Sequence, residues 1–142
     1  HKFARGSGVA EVKQWEYRVA KELERDPASV IIVDDIGRLN DALAFDYLGN
    51  LLCGAGGNAI PEFRSGPDVG AALVPADRAL FILTSDLELD PNEVSVSCET
   101  DAWEPMLDAV RTQSERFWSE RNLPTPDWWG QIQMVPFREL CA

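Results

Sequence analysis

Ser29-Val30-Ile31-Ile32-Val33-Asp34-Asp35 is a short run of apolar, mostly β-branched residues that closes on two carboxylates. Arg78-Ala79-Leu80-Phe81-Ile82-Leu83-Thr84-Ser85-Asp86 repeats the plan, apolar first and then small, polar and acidic. Continuous apolar runs of this length fit strands covered on both faces, as in a parallel sheet flanked by helices. Between the two runs, Arg38 to Leu52 carries Leu39, Ala42, Leu43, Phe45, Tyr47, Leu48, Leu51 and Leu52, which predicts a helix stopped by Gly54. Two such strands with a helix between them make a strand, helix, strand unit. The fold class predicted is therefore α/β, a partly parallel sheet flanked by helices.

Upstream, Val12, Trp15, Val19 and Leu23 recur at three- and four-residue steps with Glu11, Lys13, Glu16, Arg18, Lys21, Glu22 and Glu24 between them. That spacing predicts one amphipathic helix from Val9 to Asp26, ended by Pro27. The opening HKFARGSG, residues 1–8, is polar and glycine-bearing and predicts a loop or tail, which leaves 9–142 as a single domain. Downstream, residues 54–78 hold the glycines and prolines of a long surface excursion. Residues 87–101 are acidic around a short strand expected at Val94 to Ser97. A third helix is expected over 102–121, with Trp103, Met106, Leu107, Val110 and Phe117 facing inward, and a last strand over Ile132 to Phe137, placed at an edge by Pro136.

The 142 residues are 45% apolar and 26% charged, which suits one globular domain and excludes disorder or a fibrous repeat. With 24 acidic and 13 basic side chains, the formal charge of -11 repels nucleic acid and anionic membranes and favours a basic partner, a metal ion or a neutral protein surface. No apolar run reaches the ~18 residues of a membrane-spanning helix. Because the chain opens on His1 rather than Met, a segment upstream of it is expected. Cys53, Cys98 and Cys141 are too few for a disulfide framework or a zinc site, and one bridge among them stays open. No cysteine is paired with a histidine for nucleophilic catalysis. Trp128 and Trp129 are adjacent, so they either project in two directions, one ring anchoring a partner, or both pack against the third helix.

In open α/β sheets ligands sit beyond the carboxyl ends of the strands, and that geometry would bring Asp34, Asp35, Thr84, Ser85 and Asp86 to one edge. A magnesium-nucleotide site uses such a pair of acids, the first to hold the hydrated metal and the second to polarise the attacking water. The same two acids also fit a cap on the following turn and helix. Both readings stand at this point.

The order of elements narrows the choice. A helix, VIIVDD, a second helix, a glycine-rich excursion, RALFILTSDL and QMVPF together resemble, over residues 9 to 140, the large subdomain of an AAA+ ATPase, a P-loop NTPase fold, of the Clp and torsin branch. The resemblance implies that VIIVDD is the Walker B strand, with Asp34 on magnesium and Asp35 in place of the catalytic glutamate. It further implies that FILTSD is the sensor 1 strand, with Thr84 and Asp86 beside the nucleotide and Asp86 where asparagine is usual. MVPF resembles the torsin strand that follows the last helix. Torsin resemblance implies the lumen of the endoplasmic reticulum, and Clp resemblance a plastid or mitochondrion.

The departures point away from turnover. No G-x-x-x-x-G-K-[ST] occurs, and GSG at 6–8 and GAGG at 54–57 lack the lysine and follow no strand. In the family this phosphate cradle lies upstream of the segment that resembles His1, so the fold is truncated at its N-terminal side. Asp35 for glutamate shortens the base by roughly 1.5 Å. Three carboxylates without the P-loop lysine would each repel a triphosphate by about 1 to 4 kcal/mol at ~4 Å. The reading that follows is a degenerate, non-catalytic scaffold or accessory subunit, partnered by other protein subunits and needing no cofactor. The alternative is a portion of an active, protein-remodelling ATPase whose P-loop lies upstream, with ATP and magnesium as cofactors. A divalent-cation module built on Asp34, Asp35 and Asp86 is a third expectation.

Overall fold

The computed structural model describes residues 1–54, 60–85, 111–112 and 114–133. The chain divides into two compact units, His1–Asp86 and Leu87–Ala142, where the sequence predicted one domain over 9–142. Asp86, Cys98, Cys141, the acidic run with its strand at 94–97, Trp103, Met106, Leu107, Val110 and residues 134–137 lie outside the described residues.

In the first unit, helix α1 spans Val9–Arg25, within a residue of its predicted end. The Glu11 carboxylate accepts from the Gly8 N–H at 2.9 Å, so one of the donors left over at the helix start is satisfied from inside the first turn. The predicted inward set Val12, Trp15, Val19 and Leu23 is buried. Glu16, predicted on the polar face, is also buried, only 2% exposed. Strand β1, Val30–Val33, follows, then a 3-10 turn over Ile36–Arg38 and helix α2 over Ala42–Cys53. Asp41 caps α2, its carboxylate accepting from Ala44 N at 2.7 Å. Gly54 ends α2 with φ of 74°, a conformation that glycine adopts without steric cost.

The surface excursion predicted over 54–78 folds in part. Strands β2, Glu62–Arg64, and β3, Leu73–Pro75, pair antiparallel with Phe63 opposite Val74. Each contributes one buried side chain, Phe63 and Val74. Strand β4, Leu80–Leu83, then pairs parallel with β1 in the register Val30 to Leu80 through Val33 to Leu83. The core runs as a chain of rings: Phe3 lies 6.1 Å from Trp15, Trp15 5.9 Å from Phe63, and Phe63 stacks on Phe81 at 5.3 Å. This aromatic line ties the opening segment, α1 and the hairpin to one face of the sheet.

The other face corrects the expectation of strands covered on both sides. Val30, Ile32, Leu80 and Ile82 are 57%, 49%, 57% and 40% exposed, while Val33 is buried. Residues 1–8, expected as a loop or tail, run alongside β1: Lys2 bridges Asp34 and Ser7 bridges Leu39, both in parallel sense. The His1 amino group donates to Ile32 O at 2.6 Å, and Asp34 N donates to His1 O at 2.7 Å. Phe3 is buried, which is what holds so polar a segment down.

In the second unit, the part of the predicted third helix that is described includes a short turn of helix, α3, Arg116–Ser119, and Phe117 is buried as expected. A 3-10 helix spans Asp127–Gln131, and Ile132 closes it instead of opening the predicted strand. Trp128 and Trp129 are 6% and 8% exposed, so neither ring projects toward a partner. Trp129 stacks on Phe117 at 6.0 Å, and Trp128 meets Trp118 edge-on at 5.8 Å. The Trp129 indole N–H reaches Ser114 Oγ at 3.2 Å, which satisfies the polar atom of a buried ring. Of the two readings of this pair, packing against the helix holds.

Candidate functional site at the ends of the parallel strands

Parallel pairing of β1 with β4 puts their carboxyl ends side by side. The first residues beyond the ladder are Asp34 and Asp35 on one strand and Thr84 on the other. Thr84 Oγ1 donates to Asp34 Oδ1 at 2.7 Å and accepts from the Asp35 N–H at 2.8 Å. Two backbone bonds, Thr84 N to Val33 O at 3.0 Å and Ile36 N to Thr84 O at 2.9 Å, continue the ladder past the strands and fix this junction. Three of the five residues predicted to meet at this edge therefore do so. Ser85 is exposed, and no hydrogen bond joins it to the junction among the described residues.

Each carboxylate also has a cation of its own. Lys2 Nζ lies 3.4 Å from Asp34 Oδ2, and Arg38 Nε donates to Asp35 Oδ2 at 3.1 Å. Arg38 is anchored in turn, with Nη1 donating to Phe3 O at 3.3 Å. The hydroxyl of Thr84, and after it Lys2, hold the Asp34 carboxyl below the usual carboxylate range, because both favour its ionised form. The arrangement sets one cation against each acid, which offsets part of their charge locally.

Asp35 has a left-handed backbone, φ 57° and ψ 70°, which few residues other than glycine adopt and which aspartate tolerates better than most. Its carboxylate caps nothing; it turns to Arg38 within the 3-10 turn. The capping reading thus fails for the backbone N–H groups of this turn, and Asp41 does the capping of α2 instead. The twist at Asp35 sends the chain from the strand end into the turn and directs the two adjacent carboxylates to different cations.

Sequence reasoning missed both counter-ions. Arg38 was legible in principle, since a cation three residues after an acid in DDIGR meets it in any helical turn. Lys2 carried no local signal, because only the parallel bridge to β1 brings it there. A second polar cluster was also missed. Glu16 Oε1 accepts from Arg64 N at 2.9 Å, and Tyr47 donates its phenolic proton to Glu16 Oε2. That carboxylate joins α1, α2 and β2, and it lies among core residues rather than in a cleft.

The Cys53 thiol is free and half-buried, and burial pushes it up and away from a reactive thiolate. Among the described residues, no group of three or more His, Cys, Asp or Glu is placed to hold a metal ion, and no helix is long and apolar enough to cross a membrane. The protein-family models and the curated proteins contain no match to this chain.

Proposed function

We propose that the chain is a degenerate relative of the Clp and torsin AAA+ ATPases that serves as a non-catalytic scaffold or accessory subunit in a larger protein assembly. The observation that carries this reading is the pairing of each acid with an internal cation. In the family likeness Asp34 would hold magnesium, yet its two oxygens face Thr84 and Lys2. Asp35 would polarise water, yet it faces Arg38. A magnesium ion bound here would have to displace Lys2, and a nucleotide would meet two carboxylates with no phosphate-binding glycine loop in the sequence.

The second reading, a portion of an active ATPase with its P-loop upstream, draws support from one feature. The acids stand at the carboxyl ends of parallel strands, beside a threonine on the neighbouring strand, which is where open α/β sheets place ligands. Isothermal titration of the 142-residue chain with ATP and magnesium tests the scaffold reading, and a G-x-x-x-x-G-K-[ST] after a strand upstream of His1 in the transcript would favour the second. The scaffold reading expects no heat of binding at micromolar protein, and saturable micromolar binding overturns it.

A further inference from the structure

We draw no further inference here: the strongest candidate, the aliphatic patch that Val30, Ile32, Leu80 and Ile82 form on the outer face of β1 and β4, is an apolar sheet face for which nothing in the structure shows what covers it.

Discussion

At Asp34, two oxygens of one carboxylate are assigned to two neighbours, Thr84 and Lys2, and the hydroxyl is the stronger influence. The carboxyl titrates lower in the folded chain than in the unfolded one. Its contribution to stability is therefore present above the ordinary aspartate value of about 4 and is lost as pH falls through the lowered one. Thr84→Val is expected to raise the Asp34 midpoint more than Lys2→Met does, read from the side-chain carboxyl carbon by NMR. Equal midpoints in all three proteins would refute the assignment. Tyr47 is the opposite case. Burial first, and then its bond to Glu16, push the phenol above its usual value, so its contribution is intact below about pH 10 and declines as pH climbs toward the raised value. Subtracting the alkaline absorbance titration of Tyr47→Phe from that of the parent isolates this phenol, and the difference curve should be centred well above pH 10.

Helices and the two parallel strands were legible because each carries its signal over four or more consecutive residues. The stripe Val12, Trp15, Val19, Leu23 and the runs VIIV and LFIL needed no tertiary knowledge. The hairpin of β2 and β3 did not show itself, since three-residue strands with a single buried residue apiece leave no period to count, and Pro61, Pro67 and Pro75 favour reading a loop. Yet Phe63 is the ring that joins α1 to the sheet, touching both Trp15 and Phe81. Phe63→Ala should cost about 3–5 kcal/mol in urea unfolding. Val69, 97% exposed in the loop between the same strands, should tolerate alanine within about 0.5 kcal/mol. Similar losses for the two variants would mean that the hairpin does not close the core. The strand faces were misread for a related reason. A run of apolar residues states that they avoid charge, and it does not state how many neighbours arrive to cover them.

For the whole molecule, composition indicated a globular chain, but it does not reveal a division into two compact units at Asp86. Of the candidate site, the acids and Thr84 were legible from the strand ends. Lys2 and the buried Glu16 were not, because their roles depend on partners 32 and 48 residues away, beyond the reach of any local pattern. The pair Asp34 and Thr84 is separated by 50 residues, and so are all four rungs of the β1 and β4 ladder. Closing so long a loop costs conformational entropy before the first rung repays any of it. A local helix needs only microseconds, whereas the two strands stay unpaired until the 50-residue loop between them closes. Nascent chains are thus most vulnerable to association through LFIL during that interval.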